Sequence, residues 1–372
     1  MLDFCSLYKR NSIHTFMDYL LGDLVCATLL ALTLGNMGLH TAENPSFIEQ
    51  LLHVPSNWPC VLAALAGGCL LMYGNWTLQM SLSMGTSLGV VLPVQAALTV
   101  SIGTIINYAL QPEHSKLEFL IPGLFAFVAA IGISSAAEFA YKAHLRKLSM
   151  AHPKGLAHRH VEGKDLASAP HSDAASNDSE PSCGDEANVV AESLTEERAI
   201  QNANRVGAGI AVAASGGLAF GFFSPFFNVA VNDQFGWLPE GEARLTGWTA
   251  NFWFAVAVFL SGMVVCAVRA KMSDEPTTVH KYLADHNRHY LAFATGIVCA
   301  AGNTLQFLGG IAAGFAAADM VQAFPLVGIV WGLIFFGEFR KGSQLVKGLL
   351  VAVYLVYIVA VGLLIASVNP DA

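Results

Sequence analysis

Nine stretches of about twenty mostly apolar residues divide this chain, and each is long enough to cross a lipid bilayer as a helix. Only 12% of all residues are charged, roughly half the share found in soluble domains. The pattern predicts an all-α, polytopic membrane protein, because backbone groups in lipid must be satisfied within the spanning element. The predicted spans are A 17–38, B 59–80, C 84–108, D 118–140, E 206–231, F 249–269, G 290–312, H 315–337 and I 345–367.

Positive charge is distributed unevenly between the two ends of these spans. Seventeen of the 19 Lys and Arg residues fall on the side of the N-terminus, and only Lys116 and Arg244 fall on the other side. Because cytosolic loops carry the excess of Lys and Arg, we expect the N-terminus and the long loop 141–205 to be cytosolic and the C-terminus to lie outside. The plasma membrane is the expected location.

A short motif occurs twice inside the predicted spans. Residues 74–79 read GNWTLQ and residues 302–306 read GNTLQ, and VQA follows at the same spacing, at 94–96 and 321–323. The copies cross the membrane in opposite directions, which indicates the inverted repeat of many secondary transporters. Pairing A with F, B with G, C with H and D with I leaves E alone, so we expect a ten-helix design without its first helix.

This pairing also predicts the domain organisation. Residues 1–140 form a first membrane repeat of four helices, and residues 206–372 form a second of five helices. Between them, residues 141–205 form a largely disordered cytosolic loop, because 150–196 are rich in Ala, Ser, Asp, Glu and Gly without a periodic apolar face.

Uncharged amides inside the spans are the candidate binding residues. Asn303 and Gln306 share one face of span G, because residues three apart on a helix are neighbours. Such amides can also bond helix to helix in lipid, and each taken singly is as well explained in that way. Taken together, in two inverted copies beside Pro225 and Pro325, they favour a solute cavity. The predicted solute-binding residues are Asn303, Gln306, Gln322, Asn75, Gln79, Gln95 and Asn228.

Acidic residues inside a membrane are costly and mostly functional. Asp319 shares a face with Gln322, and burial disfavours the charged form of a carboxyl group, so Asp319 is the candidate for proton coupling. The alternative is a charge at the mouth of the cavity or a cap for the short turn between G and H. Glu338 and Arg340 are expected to pair as a gate or helix end. Asp23 and Glu138 read as snorkelling residues.

The sequence gives no sign of enzymatic chemistry. It lacks the HExxH, GxSxG and GxxxxGK[ST] motifs, and we expect no metal site, no cofactor and no nucleic-acid partner. Amide side chains offer a donor pair and an acceptor on one planar edge. That edge complements amide, imide and urea groups, although sugar hydroxyls also suit it. Phe307 could stack against a flat ring, although packing is the commoner role of such a residue.

Four runs resemble the ureide permeases, plant transporters of the drug/metabolite transporter superfamily. The longest is GNTLQFLGGIAAGFAAADMVQAFPLVGIVWGLIFFGEFRKGS at 302–343, and the others lie at 16–35, 57–75 and 215–233. The resemblance implies ten helices, a large cytosolic loop and proton-coupled import of oxo-nitrogen heterocycles such as allantoin and uracil. The chain departs from the family pattern in three ways. The family's first helix is expected to be missing before Asp18, and Asp23 stands where the family commonly has Asn. The Walker-like sequence of the family's loop is also missing, so no ATP binding is expected.

The sequence therefore predicts a secondary active transporter for a small polar nitrogenous solute, with a proton and the lipid bilayer as its other partners. Two alternatives stay open. One is a sugar or nucleotide-sugar carrier of the same superfamily, and the other is a truncated membrane protein that transports nothing.

Overall fold

The computed structural model describes residues 11–38, 40–41, 44–84, 86, 88–151, 184–272, 277–285, 287–319 and 342–369. These residues form eleven α-helices. They are α1 (Ser12–Thr33), α2 (Phe47–Leu52), α3 (Val54–Ser83), α4 (Leu88–Leu110), α5 (Leu117–Ala151), α6 (Gly184–Asn232), α7 (Gly247–Met272), α8 (Val279–Ala284), α9 (His289–Ala313), α10 (Phe315–Ala318) and α11 (Gln344–Ser367).

Polar side chains at the expected positions begin several of these helices. The Asn11 carboxamide oxygen accepts a hydrogen bond from Ile13 N at 2.8 Å, and the Ser343 hydroxyl accepts one from Val346 N at 3.4 Å. Such caps satisfy backbone N–H groups that the first turn leaves free. Pro225 lies within α6, which continues through it to Asn232.

Eight helices among the described residues are long and apolar enough to cross a membrane. They correspond to the predicted spans A to G and I, so a polytopic all-α membrane protein is confirmed. The ninth predicted span, H at 315–337, falls mostly outside the described residues, which include only α10 and Asp319 from its first turns.

The ends of the predicted loop 141–205 are helical. Helix α5 continues to Ala151, and α6 begins at Gly184, about twenty residues before its apolar part. Both extensions contain Ala, Leu and Arg, which have high helix propensity, and that propensity is independent of an apolar face. The rest of the predicted loop, residues 152–183, lies outside the described residues.

Contacts between helix ends define two ends of the bundle. At the first, which we call the basic end, Arg269 near the end of α7 bonds to Ser12 at the start of α1 and to Gln79 near the end of α3. At the second, which we call the opposite end, Lys116 N donates to Ser367 O at 2.7 Å, and Gly314 lies against His114. Helices α1 and α9 thus begin at the basic end, whereas α3 and α7 finish there.

Two glycine crossings bring helix backbones together. On α9, a Cβ at Gly296 would overlap the Tyr19 carbonyl of α1 and lie 2.8 Å from Asp23 N. On α3, a Cβ at Gly68 would overlap the Phe254 carbonyl of α7 and lie 2.8 Å from the Ala257 Cβ. Each glycine stands six residues before the Gly of its GN motif. The two motif copies therefore make the same kind of crossing, and the two helix pairs run in opposite directions.

We expect Gly296→Ala to destabilise the fold by about 1–3 kcal/mol, because the added methyl group must push α1 away from α9. Thermal unfolding of the detergent-solubilised protein measures the loss. Gly309→Ala is the matched control on the same helix, since nothing lies within 4 Å of a Cβ there. An equal unfolding temperature for both variants would contradict the close crossing.

Candidate functional site

A buried carboxyl group, that of Asp319, lies at one end of a row of hydrogen-bonded polar side chains. Asp319 follows α10 directly and is 1% exposed. Its Oδ2 accepts a hydrogen bond from Asn107 Nδ2 at 2.7 Å, and its Oδ1 has no hydrogen-bond partner among the described residues. Gly103, one turn before Asn107 on α4, makes room for the carboxyl group, because a Cβ there would lie 2.6 Å from Oδ2.

Asn107 joins this carboxyl group to helix α6. Its second N–H donates to Ser224 Oγ at 3.0 Å, and its Oδ1 accepts from Asn228 Nδ2 at 2.9 Å. Asn228 Oδ1 then accepts from Asn232 Nδ2 at 2.7 Å and from Gln234 Nε2 at 2.6 Å. We call these six residues, Asp319, Asn107, Ser224, Asn228, Asn232 and Gln234, the amide chain.

The amide chain runs from the protein interior towards its surface. Asp319, Asn107 and Asn228 are buried, whereas Asn232 at the last position of α6 and Gln234 just beyond it are partly exposed. In a low-dielectric interior, linked hydrogen bonds strengthen one another, and any member left without a partner is costly. The chain therefore provides a continuous polar connection between a buried acid and a partly exposed end of the bundle.

Aromatic side chains pack beside the amide chain. The Phe227 and Phe307 rings are stacked with centroids 3.5 Å apart and planes 6° apart, and Phe254 meets Phe307 edge-on at 5.0 Å. Phe227 precedes Asn228, and Phe307 follows Gln306 in the sequence. All three rings are fully buried, so Phe307 has the packing role in the described conformation.

The predicted amides of the first repeat lie away from Asp319. Gln95 Nε2 donates to Thr77 Oγ1 and to Gly74 O, each at 3.3 Å, and so ties α4 to α3. Gln79 Oε1 accepts from Arg269 at the basic end. Asn75 is half-buried on α3. Gln95 and Gln79 thus form hydrogen bonds between helices, which was the alternative to solute binding for any single amide.

A second polar group forms where α1 crosses α9. Tyr19 OH lies 3.0 Å from Cys299 Sγ, and Asn303 Nδ2 lies 3.9 Å from the same sulfur. Asp23 is 3% exposed, so the interpretation of this residue as snorkelling was wrong. Its position near the middle of α1, beside the Gly296 crossing, keeps the carboxyl group inside the bundle. Gln306, one turn beyond Asn303, is also buried.

Hydrogen bonds join α1 at the basic end to the residues before and at the start of α9. His14 Nδ1 lies 2.8 Å from Asp285 Oδ2, and His289 Nδ1 lies 2.8 Å from Asp18 Oδ1. Tyr282 OH also donates to Asp18 Oδ1, at 2.6 Å. The sequence interpretation missed these residues because their partners are more than 260 positions apart.

The structure does not describe the positions of three of the predicted site residues. Gln322, Glu338 and Arg340 lie outside the described residues. Conversely, Asn107 was not predicted, although its type and its place inside span C were visible in the sequence. It stands outside the repeated motif, and its role depends on Asp319, 212 positions away. The described residues contain no group of three or more potential metal ligands.

Comparison with known proteins identifies relatives over nearly the whole chain. The family model for ureide permeases matches residues 15–367. Ureide permease 4 of Arabidopsis thaliana is 35% identical over 361 residues, covering 95% of this chain and 89% of that protein. Ureide permease 2 of Arabidopsis thaliana is 36% identical over 372 residues, with the same coverage of both proteins. Probable ureide permease A3 of Vigna unguiculata is 33% identical over 343 residues, which cover 89% of this chain and 89% of that protein. No solved structure matches significantly.

Proposed function

Because this chain belongs to the ureide permease family, we propose that it carries ureides and nucleobases such as allantoin and uracil across a membrane in symport with protons. The observation that carries the proposal is the amide chain, which links buried Asp319 to a partly exposed end of the bundle. Ureide and imide groups present N–H donors beside C=O acceptors. Carboxamides present the same two groups and are therefore complementary to them.

Asp319 is the residue that couples transport to protons. It is buried, and none of its described hydrogen-bond partners is a cation. A carboxyl group in such a place is costly when charged, so gaining or losing a proton changes its preferred surroundings strongly. Oδ1, which has no hydrogen-bond partner among the described residues, is available to a proton, a water molecule or the solute.

Two inverted repeats provide alternating access in this proposal, with residues 1–140 and 206–372 as the units. The paired crossings support this arrangement. The Tyr19 and Phe254 carbonyls contact glycines at equivalent motif positions, and the neighbours three residues later are the small Gly22 and Ala257. Transporters of this type rock one repeat against the other around a fixed site.

The basic end is the cytosolic side in this proposal, and the plasma membrane is the location. The excess of Lys and Arg at that end supports the orientation. The His14–Asp285 and Asp18–His289 pairs then hold the cytosolic side closed, while Gln234 of the amide chain lies towards the outside. Glu338 and Arg340 remain candidates for a further gate on the cytosolic side.

Competition for uptake tests the substrate class. In cells that lack their own ureide uptake, expression of this chain is expected to produce uptake of radiolabelled allantoin or uracil. An excess of unlabelled allantoin or uracil should suppress that uptake, and glucose or sucrose should not. Inhibition by sugars alone would instead favour the sugar carrier, and an absence of uptake for every solute would favour the non-transporting membrane protein.

A further inference from the structure

A second buried acid lies in the membrane-spanning part of the bundle, away from the amide chain. Asp23 is on α1, and its carboxyl group has no hydrogen-bond partner among the described residues. This carboxyl group is close enough to interact electrostatically with the Tyr19 hydroxyl and with the thiols of Cys26 and Cys299. No Lys, Arg or His side chain pairs with it in the described part of the chain. It is therefore a polar group with unused hydrogen-bonding capacity.

Two of the predicted binding residues lie on the face of α9 that carries Cys299, which contacts α1 near Asp23. Tyr19, Asp23 and Cys26 share one face of α1, and Cys299, Asn303 and Gln306 share one face of α9. The Tyr19–Cys299 and Cys299–Asn303 contacts, at 3.0 and 3.9 Å, bring these two faces together. The backbones are close at this point because Gly22 and Gly296 lie against each other's helix.

The charge state of such a group follows from its surroundings. An isolated carboxylate away from water costs far more than the neutral acid. The neutral acid has an O–H donor and a C=O acceptor side by side on one planar edge. A lactam, imide or ureide group has an N–H and a C=O side by side in the same way. The two edges can therefore form a closed pair of hydrogen bonds.

We infer that Asp23 binds the solute through this edge, together with Asn303, beside the close crossing of α1 and α9. The inference rests on the proposed function and specifies the chemistry of the solute, which must present adjacent N–H and C=O groups. Asp319 and Asp23 then have different roles. Asp319, which the amide chain links to a partly exposed end of the bundle, exchanges the proton. Asp23, which no hydrogen bond among the described residues links to that end, binds the solute as the neutral acid, through its donor and its acceptor.

This division of roles makes an unusual prediction for substitutions at Asp23. Asp23→Asn keeps a donor and an acceptor on the same edge, so its KM for uracil should stay within about threefold of the wild-type value, and its uptake should still respond to pH. Asp23→Leu and Asp23→Ala remove the edge. The loss of paired hydrogen bonds in a buried site should raise KM at least about tenfold in both.

Uptake of radiolabelled uracil, normalised to the amount of protein in the membrane, measures these effects. Glu113→Gln and Glu113→Leu are matched controls, because that carboxylate is exposed at the opposite end and should tolerate both changes. Asp23→Ala keeps the test decisive if the larger Leu prevents folding, since a methyl group at this position adds no bulk.

Two results would overturn the inference. If Asp23→Asn abolishes pH-driven accumulation, Asp23 carries a proton and does not serve as a neutral binding edge. If Asp23→Ala retains the wild-type KM, Asp23 does not contact the solute. Either result would leave ureide transport by the wild type intact. Absence of ureide uptake by the wild type would instead remove the proposed function and this inference together.

Discussion

Replacing Asp319 with Asn should abolish the accumulation of ureides that a pH gradient drives, while exchange of solute across the membrane continues. Asn has the same shape, and its Oδ1 can accept the hydrogen bond from Asn107, but it cannot take up a proton. For a one-proton symporter, each pH unit supports about tenfold accumulation, because one pH unit corresponds to about 1.4 kcal/mol. The variant should show no accumulation at any gradient.

Uptake and exchange are measured on the same vesicles, with and without a pH gradient. Glu113→Gln serves as the matched control, since it also converts a carboxyl group into an amide, but at an exposed position. It should accumulate solute as the wild type does. If Asp319→Asn accumulates solute with unchanged dependence on pH, Asp319 has no part in coupling.

Replacing Asn107 with Leu should both destabilise the protein and stop transport. Asn107 is the hub of the amide chain, where it bonds to Asp319, Ser224 and Asn228. Its removal leaves three buried polar groups without their partner, and each such loss costs about 1–3 kcal/mol. The unfolding temperature in detergent should fall strongly, and uptake should be lost even in protein that reaches the membrane.

The double variant Asn107→Leu with Asp319→Leu tests whether the cost arises from the unpaired polar groups. Replacing both members of a buried pair by apolar groups costs less than replacing one. We expect the double variant to regain part of the lost stability but none of the transport. If Asn107→Leu alone is as stable as the wild type, the hydrogen bonds of the amide chain do not hold these helices together.

The spans were predictable because their cause is local. A helix that crosses a bilayer needs about twenty apolar residues, and charges are expensive there, so span length and span number are visible in composition alone. For the same reason Asp319 was conspicuous as an acid in an apolar segment. Its burial agrees with that expectation.

The partners of the polar residues were not predictable in the same way. Gln95 and Asn228 are both amides in apolar spans, yet one bonds to Thr77 across two packed helices and the other joins the amide chain. Sequence spacing defines a face of a helix but not the helix that covers it. Asp23 shows the same limit, because only the packing of α1 on α9 makes it a buried residue.

The extensions of α5 and α6 illustrate a different difficulty. Residues near 141–151 and 184–205 are polar, and polar composition indicated a loop. Helix formation there depends on propensity and on continuation from the adjoining span, neither of which requires an apolar face. Composition therefore located the edge of the apolar segment correctly but not the end of the helix.

Proton-driven transport by the purified protein tests the central proposal most directly. Wild-type protein reconstituted in sealed vesicles is given radiolabelled allantoin or uracil on the C-terminal side of the membrane, where the pH is either lower than or equal to the pH on the N-terminal side. We predict accumulation above the external concentration only when the proton gradient is present, and its collapse on addition of a protonophore. Equal uptake with and without the gradient, or no uptake of either allantoin or uracil, would contradict the account.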